Sequence, residues 1–199
     1  MIWERSPALS FALAGTPFAL AILFRAGLEA DPVTHVLLQL PLLGWSGWLV
    51  ARWAGIGAVT LRPAAANALS LAAVFTILFW MLPRYIDASL TDWPAALAKF
   101  ISIPMLAGAT LAIAWHRTHP FLRGFLKANA ISMLVVLAYL YTHAPVRICN
   151  SYLVVDQERL GLGFLGAALM LSVAWSLPLF LGPADRPAAT EDQGVFPIK

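Results

Sequence analysis

Apolar stretches long enough to cross a lipid bilayer follow one another along most of this 199-residue chain. A helix of about 20 residues spans the roughly 30 Å hydrocarbon core of a membrane. Because lipid offers the backbone no hydrogen-bond partners, spanning segments of this kind must be helical. We therefore predict an all-α, polytopic membrane helix bundle of about six transmembrane helices, near residues 7–26, 33–53, 64–83, 95–115, 121–143 and 160–182.

The composition agrees with a membrane protein and argues against other classes. Hydrophobic residues make up 60% of the chain and charged residues 12%, too little charge to cover a soluble domain. The basic residues form no stripe, which argues against nucleic-acid binding. The sequence has no glycine-rich phosphate loop, which argues against nucleotide binding. Residues 184–199 follow Gly182-Pro183 and are predicted to form a flexible polar tail.

The distribution of lysine and arginine predicts how the bundle is oriented. Cytoplasmic loops carry an excess of these residues. If the N-terminus is cytoplasmic, eight of the thirteen basic residues fall inside and five outside. We therefore expect both termini to be cytoplasmic.

Ionisable residues, which are costly inside a membrane, gather at the end of the bundle that this orientation places outside. We predict that they form an ion network or a docking surface, with Lys99 pairing with Asp87 or extending its ammonium group to the interface as the simplest arrangement. The residues of this set are Arg84, Asp87, Lys99, Arg147 and Asp156, with Gln39 and Asn150 beside them.

Smaller polar residues recur at helical spacing and are predicted to hydrogen bond between helices, forming a polar seam. Asn67 and Ser70 belong to the third span and Ser102 to the fourth. The fifth span carries a longer stripe of Asn129, Ser132, Tyr139 and His143.

Four side chains near the same end have the chemistry of ligands for a soft metal ion: His35, Met81, His143 and Cys149. Imidazole, thioether and thiolate groups together suit copper. A haem held by His35 and His143 from facing helices is a second possibility. The alternative for each histidine is a hydrogen-bonding role at a helix end. Cys149 is the one cysteine of the sequence, so no internal disulfide can form.

Two segments of the chain resemble the polytopic CtaG-type assembly factors of bacterial cytochrome oxidases. These are residues 34–43, THVLLQLPLL, and residues 79–84, FWMLPR, followed by Asp87. Gln39 stands where that family has a second histidine, four residues after the first.

The resemblance implies a multi-pass protein of the bacterial inner membrane that is an accessory or assembly factor for a respiratory complex of the haem-copper oxidase type. It would handle copper at the periplasmic face and contact other membrane subunits. The alternative function is a non-catalytic structural subunit of a larger membrane complex. We expect no enzyme activity, because the chain has no recognisable catalytic constellation.

Overall fold

The computed structural model describes residues 7–56, 60–143 and 151–181, and the regular elements within these ranges are all helices. In chain order they are α1 (Pro7–Leu23), α2 (Arg25–Ala30), α3 (Pro32–Trp53), α4 (Pro63–Met81), α5 (Pro83–Thr91), α6 (Trp93–Arg117), α7 (Pro120–His143) and α8 (Val154–Leu181). The predicted all-α membrane bundle is confirmed. The predicted tail, 184–199, lies outside the described residues.

Five of these helices, α3, α4, α6, α7 and α8, are long and apolar enough to cross a membrane. Each coincides with one of the predicted spans, although α8 begins at Val154, six residues before the predicted start at 160. The predicted span 7–26 corresponds to α1, which has 17 residues and ends at Leu23. Whether α1 also crosses the membrane stays a prediction.

Prolines mark where many of the helices begin. Pro32, Pro63, Pro83 and Pro120 are each the first residue of a helix, where the missing N–H costs no hydrogen bond. The side chain of Asp31 also caps α3 by accepting a 2.7 Å hydrogen bond from the backbone N–H of Val33. These local signals explain why the boundaries of α3 and α4 lie close to the predicted ones.

Helices α3 and α6 cross with their backbones in direct contact. A Cβ atom on Gly47 would overlap the backbone carbonyl of Pro104, and one on Gly108 would overlap the carbonyl oxygen of Gly44. Small residues permit this approach in membrane bundles, where close packing replaces the hydrophobic effect between helices. On α6 the contact includes a π-helical segment, Ile103–Ala109, which contains Pro104. The crossing fixes how the two helices that carry the polar residues face each other.

Helices α7 and α8 form a hairpin that packs against the start of α3. A buried apolar cluster joins the hairpin to α3 and α5, and it contains Val36, Ile86, Leu134, Leu137, Ala138, Tyr141, Tyr152, Leu160, Phe164 and Ala168. A second cluster joins α1, α3, α4 and α6 through Ala21, Leu43, Trp80, Phe100 and Ile103. The short helices α2 and α5 lie at the end where α3, α6 and α8 begin, which is the predicted outer end.

Candidate functional site

A buried lysine is the centre of the polar structure at this end of the bundle. Lys99 lies in the second turn of α6 and is 1% exposed. Its Nζ atom lies 2.7 Å from Oε1 of Glu29, 2.9 Å from Nε2 of His35 and 3.1 Å from Oε1 of Gln39. An ammonium group has three donors and no acceptor, so all three of its protons have a partner here. Helices α2, α3 and α6 are thereby joined through one side chain.

The hydrogen bonds of His35 assign its tautomer. Because Lys99 can only donate, Nε2 of His35 accepts, and the ring proton is then on Nδ1. Nδ1 lies 2.9 Å from the hydroxyl of Tyr152, and that hydroxyl donates to the backbone carbonyl of Glu29 at 2.9 Å. The donors therefore follow one direction, from Lys99 to His35 to Tyr152 to Glu29. His35 has no ring nitrogen left without a partner.

Gln39 completes the cluster because its amide group can both accept and donate. While Oε1 accepts from Lys99, Nε2 lies 3.3 Å from the carbonyl oxygen of Ala21 and 3.4 Å from Oε1 of Glu29. A deprotonated carboxylate at this position could only accept. The amide therefore connects α1, α2 and α6 without adding charge.

Glu29 is the only acidic member of the Lys99 cluster, which we define as Lys99, Glu29, His35, Gln39 and Tyr152. Its side chain is 10% exposed, and its second oxygen accepts a 2.9 Å hydrogen bond from Nε of Arg25. Burial raises the pKa of Glu29, but hydrogen bonds from Lys99 and Arg25 and their positive charges outweigh burial, so the pKa lies below its ordinary value of 4.5. Glu29 is therefore a carboxylate at neutral pH.

The polar groups of the Lys99 cluster bond to one another and leave no group free for a ligand. Within the described ranges, no buried side-chain nitrogen or oxygen atom lacks a hydrogen-bond partner. A charge at this depth is costly unless it is paired and hydrogen bonded, and both conditions hold for Lys99. The geometry suits the fixing of three helices and offers no unpaired ring nitrogen to a substrate or a metal ion.

The predicted ion network is corrected by these contacts. Lys99 neither pairs with Asp87 nor extends to the interface, because α2 folds over the start of α3 and brings Glu29 to the ammonium group instead. Asp87 accepts a 3.1 Å hydrogen bond from the backbone N–H of Ser151. Arg84 is exposed on α5. Of the predicted members that the structure describes, only Lys99 and Gln39 lie in the cluster.

Asp156 belongs to a separate and more exposed group of charges. Nη1 of Arg159 lies 3.6 Å from Asp156 and 3.3 Å from Asp31, and the arginine side chain is 58% exposed. The predicted members Arg147 and Asn150 lie outside the residues that the structure describes.

The three predicted copper ligands that the structure describes, His35, Met81 and His143, do not form a metal site. His35 is enclosed by Lys99 and Tyr152, while the exposed ring of His143 stacks on Tyr139 with centroids 4.4 Å apart. Met81 packs against the apolar cluster around Val36. No group of three or more His, Cys, Asp or Glu side chains in the described part of the chain could hold a metal. Cys149 lies outside it.

The alternative of a haem bound by His35 and His143 is also disfavoured, because the hydrogen bonds of His35 occupy its ring nitrogens. His35 has both ring nitrogens in hydrogen bonds, and Nδ1 of His143 lies 2.8 Å from the hydroxyl of Thr142. These described contacts do not fit a haem iron between the two histidines.

The predicted polar seam is present in two helices and absent from a third. Ser70 is hydrogen bonded to Thr118 at 2.6 Å, Asn67 accepts from the backbone N–H of His119, and Ser102 accepts from Nε1 of Trp80 at 2.8 Å. The stripe on α7 was interpreted wrongly, because three of its four members are exposed: Ser132, Tyr139 and His143. Leu134, Leu137 and Ala138 form the buried face of that helix instead.

Sequence reasoning missed two members of the cluster, Glu29 and Tyr152. The spacing of Arg25 and Glu29, four residues apart, is typical of a helical ion pair and could have predicted that a short helix follows α1. For Tyr152 no such signal exists, because its partner His35 is 117 residues away.

Comparison with known proteins adds no relative from which a function could be transferred. No protein-family model matches the chain, and neither a curated protein nor a solved structure is similar enough to count as a match. The candidate site must therefore be interpreted from its own geometry. The structure is that of a multi-pass helical membrane protein, in which the polar groups of the Lys99 cluster are buried and bonded to one another.

Proposed function

We propose that this chain is an accessory or assembly factor for a respiratory membrane complex of the haem-copper oxidase type, without a catalytic centre of its own. The observation that carries the proposal is the meeting of its two family-like segments. His35 and Gln39 of residues 34–43 bond to Lys99. Phe100, which follows Lys99 in the chain, belongs to the same buried cluster as Trp80 of the second segment, residues 79–84. The resemblance therefore rests on residues that form one structure.

The closed chemistry of the Lys99 cluster supports a non-catalytic role. A catalytic centre needs a nucleophile or base that can reach a substrate. In this cluster the ammonium, imidazole and amide groups are instead bonded to one another, and Lys99, His35 and Gln39 are each no more than 1% exposed. Such a cluster stabilises one arrangement of helices, which is what a docking or scaffolding protein requires. We infer that the partners bind the surface of the bundle.

Handling of copper at the periplasmic face belongs to the proposal only in a narrower form, in which copper is bound without His35 as a ligand. The described residues do not fit a copper site, because His35 is held by Lys99 and Tyr152. A thiolate ligand would come from Cys149. Elemental analysis of purified protein tests this: copper lost from Cys149→Ser but retained by His35→Ala supports the narrower form, and copper-free wild-type protein contradicts it.

The main experiment deletes the gene in its host and measures assembled terminal oxidase in the membranes by native gel electrophoresis and haem absorbance. We expect the assembled oxidase to be lost and restored by the wild-type gene, while other respiratory complexes keep their amounts. Unchanged oxidase in the deletion strain would refute the proposal. A chain that co-purifies in equal amounts with the mature oxidase would identify a structural subunit instead.

A further inference from the structure

A cavity of about 680 Å³ lies between the α7–α8 hairpin and helices α3, α4 and α6. The side chains that line it are aliphatic, methionine or tryptophan, or are absent at glycine. Its walls include Leu40, Gly44 and Trp48 of α3, Gly108 of α6, and Ala167 and Leu171 of α8. These residues belong to helices long and apolar enough to span a membrane. The cavity therefore lies at the depth of the hydrocarbon core.

The cavity results from small residues beyond the point where α8 meets α3. At Gly163 the contact is tight, since a Cβ atom there would lie 2.6 Å from Cδ1 of Leu37. Farther along, Gly44 of α3 and Ala167 of α8 place little or no side chain into the space between the helices, while Gly108 of α6 lets the backbones of α6 and α3 touch at the cavity wall. The volume is thus built by the sequence of three separate helices.

We propose that this cavity binds a fatty acyl chain of a membrane phospholipid. Its volume falls within the range of about 300–1,000 Å³ that is usual for ligand pockets. Val36 and Trp48, which both line it, are 12 positions apart on α3, or about 18 Å at the helical rise. One leaflet supplies about half of the roughly 30 Å hydrocarbon core, so a single acyl chain matches this length.

Other occupants fit the walls less well. Water needs two to four polar partners, and this lining offers few. A partner's transmembrane helix is about 10 Å in diameter, so a space of this volume would enclose only about 9 Å of it. A flexible hydrocarbon chain instead gains dispersion contacts along the whole cavity, which is the main source of specific packing within a membrane.

The test compares lipid retention between two matched glycine variants. Gly44→Leu introduces a side chain at the cavity wall, where the nearest atom to a new Cβ is Cγ2 of Ile103 at 4.0 Å, so the Cβ atom itself meets no backbone. Gly166→Leu makes the same change at an exposed position of α8 with nothing within 4 Å. Both proteins and the wild type are incubated with dioleoylphosphatidylethanolamine vesicles, extracted in mild detergent and weighed by native mass spectrometry.

We expect the wild type and Gly166→Leu to retain one phospholipid. The ratio of lipid-bound to lipid-free Gly44→Leu protein should be about tenfold lower, equivalent to about 1.4 kcal/mol of binding. Equal retention by all three proteins would overturn the proposal, as would a wild-type protein that carries a quinone or a peptide instead. Should Gly44→Leu fail to fold, Ala167→Met introduces bulk from α8 and takes its place.

A second measurement locates the chain. A phosphatidylethanolamine with a photoactivatable diazirine in its acyl chain is cross-linked to wild-type protein, and the labelled residues are mapped. We expect labels on Leu40 and Leu171, cavity residues that are only partly exposed, and we expect these labels to resist competition by excess detergent. Labels confined to residues such as Phe180, which is 85% exposed, would contradict a cavity-bound chain.

Discussion

The ammonium nitrogen of Lys99 lies 2.7 Å from a carboxylate oxygen of Glu29, 70 positions earlier in the chain. The side chains of the pair are 1% and 10% exposed, so water does little to screen either charge. A buried pair contributes little net stability compared with apolar residues, but the loss of Lys99 leaves one oxygen of Glu29 without its buried cation, and only the partly exposed Arg25 at the other oxygen. This asymmetry makes the pair a sensitive test of the described structure.

Replacement of Lys99 by methionine keeps much of the side-chain volume and removes the charge. We expect Lys99→Met to lower the free energy of unfolding by about 3–5 kcal/mol, because Glu29 loses its buried partner. Titration of purified protein from mild detergent into denaturing detergent measures the change. The matched control is Arg25→Met, whose side chain is 42% exposed and whose ion pair is worth at most about 1 kcal/mol.

A second substitution separates the charge effect from packing. The double variant Lys99→Met with Glu29→Gln should recover part of the lost stability, because no carboxylate stays buried without the lysine. If the double variant is less stable than Lys99→Met alone, the loss comes from the packing of the lysine side chain and the ion-pair explanation fails.

Tyr152 bridges His35 and the backbone of Glu29 through one hydroxyl group. We expect Tyr152→Phe to cost about 1–3 kcal/mol, since a buried ring N–H and a carbonyl oxygen both lose a partner. The control is Tyr139→Phe, at a position 66% exposed, which should stay within about 0.5 kcal/mol of wild type. Equal effects of the two substitutions would show that the bridge is not formed.

The crossing of α3 and α6 depends on Gly47. We expect Gly47→Ala to destabilise the protein by about 1–3 kcal/mol or more, because the new methyl group would overlap the Pro104 carbonyl and push the helices apart. Gly124→Ala, with nothing within 4 Å of the new atom, should be neutral or stabilising by up to about 1 kcal/mol. Thermal unfolding in detergent distinguishes them, and a neutral Gly47→Ala would contradict the close crossing.

Because the pKa of Glu29 is lowered in the folded protein, part of the free energy of unfolding depends on pH. The unfolded carboxyl titrates near its ordinary value of 4.5 and the folded one at lower pH. Its contribution is therefore complete above about pH 4.5 and is lost as pH falls through the folded pKa. We expect the unfolding temperature of Glu29→Gln to fall less between pH 5 and pH 3 than that of wild type, and an equal fall in the two proteins would contradict the ion pair.

Much of the fold could be predicted because its signals are local. The length of each apolar stretch and the prolines at 32, 63, 83 and 120 place the helices. Lipid leaves a spanning backbone no alternative to internal hydrogen bonds, so hydrophobic length alone implies helix. The same reasoning picked out Lys99, His35 and Gln39 as costly polar residues at one end of the bundle, and all three side chains are buried in the structure.

The partners of those residues were decided only by the tertiary structure. Glu29 and Tyr152 reach Lys99 and His35 because α2 and the start of α8 fold over the same end, and no spacing in the sequence encodes a contact between residues 70 or 117 positions apart. The sequence determined that a buried lysine needs an acceptor, since an ammonium group in hydrocarbon cannot stay unpaired. The packing of α3 against α6 determined which acceptors it has, and thereby made His35 a hydrogen-bonding residue within the bundle.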